Sequence, residues 1–305
     1  MKIIIQIPCF NEEGQLKKII SEIKTSVDQS LYNYKIVIID DGSVDNTVKV
    51  ANENNVDKII SLKRNMGLGY AFDQGINFAK SEQADILIHT DADNQYQSKY
   101  IPKLIESIKN SDFDIVVGVR EFDKIDHFSW SKKILQKIGS RVVRIISGQK
   151  ISDASSGFRA YSKKAIHNLQ INSNYTYTLE TLIQAKEKGL IINEIPIEIN
   201  PPTRKSRLFN SITEFIVKQM LIICKAFLLY KPLHFFSTLA ALPFLTGNLA
   251  ILRFIYFYSI GDGDGYIQSL ILGVALLLLG VLLFFMGLLG YLIKDIKKTL
   301  QTKKD

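Results

Sequence analysis

Five short apolar runs recur along the first part of the chain, at Lys2 to Pro8, Lys35 to Asp40, Lys58 to Leu62, Asp85 to Thr90 and Asp114 to Val119. Each has strand length and is bounded by polar or turn-forming residues. Between the runs, apolar residues return at helical spacing. Leu16, Ile19, Ile20 and Ile23 make one stripe and Ile101, Leu104, Ile105 and Ile108 another, which marks them as the core faces of amphipathic helices. Strands alternating with helices predict an α/β domain built on a parallel, doubly wound sheet. After about residue 120 the pattern loosens into a basic, aromatic stretch with Arg120, His127, Trp130, Lys132 and Lys133, which reads either as a mobile lid or as a plain surface connection.

The pattern changes again after residue 210. Two long, nearly uncharged stretches, 233–258 and 266–293, each exceed the roughly 20 apolar residues that a bilayer-spanning helix needs. Between 210 and 230, Glu214, Lys218 and Lys225 fall within about 40° on a helical wheel, opposite a set of apolar residues. That segment reads as a helix lying in the membrane interface or packed on the domain. The expected organisation is therefore a catalytic domain over 1–210, a juxtamembrane helix over 211–231, and two spans with a basic tail over 232–305. Arg253 inside the first span is a costly placement whose expected solution is to snorkel to the outer interface.

Charge and cysteine content narrow the setting. Lys294, Lys297, Lys298, Lys303 and Lys304 follow the second span, whereas the connector Gly261-Asp262-Gly263-Asp264-Gly265 carries no Lys or Arg. The positive-inside rule then places the domain and both termini in the cytosol. Ile3-Ile4-Ile5 is too short for a signal-peptide core. The formal charge of +8 gathers near the membrane segments, favouring anionic lipid over nucleic acid as a partner. Cys9 and Cys224 stand far apart, which argues against a disulfide framework.

Candidate chemistry sits where the strands end. Asp91-Ala92-Asp93-Asn94-Gln95 follows the apolar Ile86-Leu87-Ile88. In an open α/β sheet that is where ligands bind, and Mg²⁺ favours one or two carboxylates plus phosphate oxygens. A capped turn is the competing explanation. The first strand ends in Pro8-Cys9-Phe10-Asn11-Glu12 and the second in Asp40-Asp41-Gly42-Ser43-Val44-Asp45. Phe10 offers a stacking face and Asp41 an acceptor for the N–H groups of uracil or guanine, while Ser43 and Asp45 read as helix caps. Gly67-Leu68-Gly69-Tyr70-Ala71 holds half of a dinucleotide fingerprint, but Phe72 occupies the third glycine position, so a nicotinamide cofactor is not expected. Arg64 reads equally as a phosphate contact or a solvated charge. Asp153 to Arg159, Glu180, and the basic run Arg204-Lys205-Ser206-Arg207 add further charged groups.

In this order these segments resemble the family 2 glycosyltransferases, in particular the polyprenyl-phosphate glycosyltransferases of the dolichol-phosphate mannose synthase type. The resemblance covers residues 1 to about 210 and implies a GT-A fold, a Rossmann-like, mostly parallel sheet. It implies that Pro8, Phe10, Glu12, Ile39, Asp41, Asp91, Ala92, Asp93, Arg204 and Arg207 hold the nucleotide sugar, and that Asp91, Asp93 and Gln95 serve Mg²⁺ or Mn²⁺. Asp91, Asp93, Arg120 and Arg159 become the expected catalytic groups, with Arg120, Arg141, Arg159 and Ser206 toward the acceptor phosphate. The implied partners are a nucleotide sugar, a polyprenyl phosphate and the membrane, with a homo-oligomer allowed. Two departures stand out: Asn94, Tyr96, Gln97 and Ser98 replace the usual Leu, His and prolines, and the late basic motif is compressed.

The implied reaction is inverting transfer of a hexose. A phosphomonoester is already largely ionised near pH 7, so a phosphate acceptor needs no strong general base. No histidine base is evident beside the acidic motifs, which disfavours a hydroxyl acceptor. The competing activities are transfer to a saccharide hydroxyl from a membrane-anchored enzyme, and an inactive membrane carrier or scaffold.

Overall fold

Ile3, Ile4, Ile5 and Ile7 are all fully buried, as a parallel strand covered on both faces requires. They belong to β1 (Lys2–Cys9), at the centre of the sheet, with β2 (Asn33–Asp40) on one side and β4 (Ile86–His89) on the other. The computed structural model describes residues 1–120, 140–141, 143–144, 148, 151–171, 177–201, 224–225, 227–228 and 230–302. Its chain separates into two units, Met1–Ser211 and Ile212–Asp305.

Among the described residues the first unit holds a seven-stranded sheet in the order β3-β2-β1-β4-β6-β5-β7. β3 (Lys58–Ser61), β5 (Ile115–Arg120), β6 (Arg159–Ser162) and β7 (Ile192–Ile197) complete it. The pairings are parallel except at β6, which lies antiparallel between β4 and β5. That strand, Arg-Ala-Tyr-Ser, lacks the apolar run that marks the equally short β3 and β4; pairing on both edges defines it.

Side chains of β1 alternate between two cores. Ile3, Ile5 and Ile7 pack with Leu16, Ile19, Ile20 and Ile23 of α1 (Glu13–Ser26), Ala51 of α2 (Thr47–Glu53), and Ile101, Leu104 and Ile105 of α4 (Ile101–Lys109). Ile4 faces the other way, toward Ala71, Phe72 and Ile76 of α3 (Leu68–Ser81) and Ala165 of α5 (Lys163–Asn168). The chain steps outward from β1 to β2 to β3, and α3 then carries it back across the opposite face to β4. β1 and β4 are thus neighbours whose connections leave in opposite directions. That is the switch point at which open α/β sheets leave a crevice for ligands.

The second unit is an antiparallel hairpin of α7 (Pro232–Ser259) and α8 (Ile267–Thr302). Gly273, Gly280 and Gly287 of α8, each seven residues apart, meet α7, and a Cβ on Gly273 would come within 2.9 Å of the Gly247 carbonyl oxygen. Small residues therefore set how closely the backbones approach. Leu242, Leu249 and Ile271 are exposed outward. Both helices are long and apolar enough to cross a membrane. The Arg253 guanidinium lies 5.1 Å from the Tyr266 ring, at the connector end, and Tyr266 stacks on Phe257 at 3.8 Å. Tyr266 thus gives Arg253 an aromatic partner for a cation–π contact.

Candidate active site

The register Ile3↔Ile86 through Gln6↔His89 sends Phe10 and Asp91 out of the sheet on adjacent strands. Phe10 is 39 % exposed, a large aromatic left open at the crevice. Asn11 takes the left-handed conformation, φ 55°, which Asn tolerates better than most residues. Its backbone N–H donates to Ser43 Oγ at 2.9 Å, and that of Glu12 donates to Thr47 Oγ1 at 2.8 Å. Ser43 therefore staples two loops and caps no helix, contrary to expectation. Asp45 accepts from the backbone N–H groups of Thr47 and Glu13, tying the first turns of α2 and α1 together.

Asp41 is buried, and its carboxylate accepts from the N–H groups of Met66, at 2.7 Å, and Gly67, at 2.9 Å. This fixes the loop that opens α3. Gly42 makes the close approach possible: its φ is +75°, and a Cβ there would fall 2.5 Å from the Arg64 carbonyl carbon. Each Asp41 oxygen has a second lone pair beyond these bonds. Pro8, Ile39 and Ala92 are buried. Ile39 and Ala92 belong to the two cores, which leaves their backbone as the part that can meet a nucleotide.

The acidic loop is shaped from both sides. Asp93 Oδ1 accepts the Gln95 N–H at 3.1 Å, and Asn94, at φ 57°, is buried with its amide donating to Glu22 Oε1 at 3.1 Å. Asn94 is thus the turn residue that a left-handed position favours, which gives a physical reason for its presence here. The far end of the unit joins the same loop. Asn200 donates its N–H to Gln95 O at 2.8 Å and its side-chain amide to Asn94 O at 2.9 Å, and Tyr96 bridges Ile199. The acidic loop thus holds the chain up to Asn200. Arg204, Ser206 and Arg207 themselves lie outside the described residues, as do the expected lid and most of the expected juxtamembrane helix.

His89 is the residue that the sequence pattern concealed. It closes the apolar strand β4, fully buried, with Nε2 3.6 Å from Asp91 Oδ1. A histidine thus does stand beside the acidic motif, but with no exposed surface it has no route to a substrate hydroxyl. Its Nδ1 lies 2.9 Å from Gln6 Nε2, a pairing set by the β1–β4 register. Its ring contacts Phe72 and Tyr177, which stack on each other at 4.0 Å and 9°. Burial, opposed by Asp91, holds the imidazole pKa below its ordinary value and so keeps it neutral. The available signal was a polar residue on the same face of two paired apolar strands.

The expected cationic groups are placed differently. Arg159 is fully buried and donates to the carbonyls of Ser156, Thr178 and Ala154 and to Thr181 Oγ1, at 2.8–2.9 Å. It braces the loop before β6 against α6 (Thr178–Glu187) and has no surface for a phosphate, which corrects the catalytic and acceptor role expected of it. Arg120 pairs with Asp153 through Nε at 2.6 Å and Nη2 at 3.0 Å, with Ser155 Oγ at 2.8 Å. Burial would raise the Asp153 pKa, but the Arg120 charge and hydrogen bonds prevail and hold it below its ordinary value. In this structure the Arg120 charge is met by a buried carboxylate rather than left open at the crevice. Arg141 is exposed. Gly157, gripped by Tyr96 and Tyr177, stands where a Cβ would fall 3.1 Å from Asp91 Oδ2.

Among the described residues no three His, Cys, Asp or Glu side chains converge on a point. Asp91 makes no protein hydrogen bond there, and with Asp93 it supplies two part-exposed carboxylates. That donor set fits a hard divalent cation that keeps substrate phosphate and water among its ligands.

A GT-A-like α/β unit with its acidic loop at the switch point defines a glycosyltransferase architecture. The chain belongs to glycosyl transferase family 2, whose model matches residues 4–170. It is 33 % identical over 218 residues to the UDP-N-acetylglucosamine–dolichyl-phosphate N-acetylglucosaminyltransferase of Methanococcus voltae, covering 64 % of this chain and 84 % of that one. It is 33 % identical over 204 residues to the dolichol-phosphate mannosyltransferase of Pyrococcus furiosus, covering 64 % and 56 %. Its fold is similar to that of glucosyl-3-phosphoglycerate synthase from Mycobacterium tuberculosis, solved with Mn²⁺, UDP and glucosyl-3-phosphoglycerate, at a TM-score of 0.58 and 18 % identity over 74 % of this chain and 78 % of that one.

Proposed function

We propose that the protein transfers a hexose from a UDP- or GDP-sugar to a polyprenyl phosphate at the cytosolic face of a membrane, with inversion at the anomeric carbon. The observation that carries this reading is the convergence at the β1/β4 switch point of an open aromatic, Phe10, and two part-exposed carboxylates, Asp91 and Asp93, with Asn200 hydrogen-bonded to the same acidic loop. The base stacks on Phe10, and Asp41 offers its remaining lone pairs to the imide. Asp91 and Asp93, with Gln95, hold Mg²⁺ or Mn²⁺ against the diphosphate. Bound there, the cation neutralises charge on the departing nucleoside diphosphate. Three residues separate Asn200, hydrogen-bonded to the acidic loop, from Arg204. That stretch reaches at most about 14 Å, a length that lets Arg204 meet the diphosphate, and Arg207 would follow it on the same run.

The acceptor follows from proton chemistry. His89 is sealed from substrate, so no described imidazole is available to deprotonate a sugar hydroxyl, and a phosphate oxygen attacks without that help. Two long apolar helices supply the means of meeting a lipid substrate. The Lys residues after the second span and the uncharged-by-Lys connector favour a cytosolic catalytic unit. Relatives named for dolichyl-phosphate and dolichol-phosphate transfer support the same reading.

The test is transfer of radiolabel from a panel of UDP- and GDP-sugars by the purified full chain, given polyprenyl phosphate in detergent with Mg²⁺ or Mn²⁺, followed by organic extraction. The expected result is metal-dependent label in the organic phase from one donor. Label that stays in the aqueous phase and appears only when a saccharide is added would overturn the lipid-phosphate acceptor.

A further inference from the structure

We infer that His89 is a positioning residue for Asp91, donating a hydrogen bond from Nε2–H that holds the carboxylate in place when a divalent cation is bound. This inference rests on the metal role proposed for Asp91.

Three observations lead to it. His89 Nε2 is buried with no hydrogen-bond partner, an expensive state for a polar atom. Its neighbour is Asp91 Oδ1 at 3.6 Å, about 0.7 Å beyond an ordinary N–H···O bond. Closing that gap asks for a shift of about 0.7 Å of one carboxylate oxygen. The tautomer follows from the assigned orientation of the Gln6 amide: with its nitrogen 2.9 Å from Nδ1, Nδ1 accepts and the ring proton sits on Nε2. The opposite tautomer would set a lone pair against a carboxylate.

The surroundings are built for a fixed ring. Phe72 and Tyr177 contact it at centroid distances of 5.1 and 4.7 Å, so it has no alternative orientation to relax into. Gln6 is equally confined. A Cβ on Gly75 would fall 1.4 Å from Gln6 Oε1, so the absent side chain on α3 is what admits a buried glutamine beneath the helix. On the opposite side of the carboxylate, Gly157 leaves the space that Asp91 turns in. A hydrogen bond of this kind from behind orients a metal-binding group and raises its affinity, and removing it typically costs about 10–100-fold in metal binding.

The experiment measures Mn²⁺ affinity by electron paramagnetic resonance, with UDP present, on the full-length detergent-solubilised protein. His89→Phe keeps an aromatic ring in the cage but has no donor; it should weaken Mn²⁺ binding about 10–100-fold while leaving metal-free UDP binding unchanged. His89→Gln, with an N–H near the Nε2 position, should restore affinity to within several-fold of the unaltered protein. Gln6→Leu, which frees the tautomer, should lose a few-fold, and it decides the matter if His89→Phe does not fold. Mn²⁺ affinity within twofold of the unaltered protein in each folded variant overturns the inference. Asp91→Asn is measured alongside: if it too binds Mn²⁺ normally, the metal reading itself fails, whereas loss there with none at His89 refutes only the positioning role.

Discussion

The two sides of the crevice treat charge in opposite ways. On the β1/β4 side, Asp91 stands part-exposed with no hydrogen bond to a described residue, next to a buried histidine that stops short of it. On the β5/β6 side, Arg120 is bound to Asp153 and Arg159 is surrounded by carbonyls. Sequence alone offers Asp91, Arg120 and Arg159 alike as catalytic groups. A charge whose valences are met by the protein builds the site, and a charge with valences left over is the one that can meet a ligand.

Substitutions separate the two sides. Asp93→Asn should have the largest effect, lowering transfer by about 10³–10⁴-fold, or about 4–5.5 kcal/mol, with an unchanged melting temperature. Initial rates and a thermal melt check it, and retained activity would place the acidic loop with the structural side. Asp153→Asn should instead cost about 3–5 kcal/mol of stability at neutral pH, because it leaves the Arg120 cation without its carboxylate. The Asp153 pKa is depressed in the folded protein, so the pair's contribution is full above the unfolded pKa, near 4, and is lost as pH falls through the folded value. Urea melts should therefore show the gap between Asp153→Asn and the unaltered protein closing below about pH 4.

Arg159→Leu should cost about 2–4 kcal/mol, through carbonyls left unsatisfied. The enzyme that remains folded should keep its KM for the lipid phosphate, and a raised KM would return Arg159 to the acceptor. The smallest expected effect is at Gly157. Gly157→Ala places a methyl 3.1 Å from Asp91 Oδ2 and 2.7 Å from the Tyr177 hydroxyl, and should weaken Mn²⁺–UDP binding about tenfold, or about 1.4 kcal/mol, in a titration.

The five strands expected between Lys2 and Val119 are present to within two residues at each end, because each is an apolar run bounded by polar or turn residues, and all but the edge strand β3 are buried along most of their length. The two long helices were equally legible, since length and apolarity alone define them. Even the helix-facing side of α8 was written in the chain, in glycines seven residues apart, though it takes a partner helix to give that spacing a meaning. Phe10 and the Asp91–Asp93 pair were legible for a related reason: polar and aromatic groups directly after buried strands mark where a parallel sheet ends.

Tertiary structure alone decided the rest. β6 has four residues and owes its place to two neighbouring strands. Asp41 became the anchor of a loop 25 residues away, and Asn200 the link between the acidic loop and the approach to the basic run. His89 looks like the last residue of an apolar strand until register sets it beside Gln6 and the turn brings it to Asp91. Sequence determines which residues are charged, apolar or able to turn, because those are properties of single side chains and their local spacing. Which charges are neutralised and which remain for a ligand depends on partners distant in the chain, and only the folded packing supplies them.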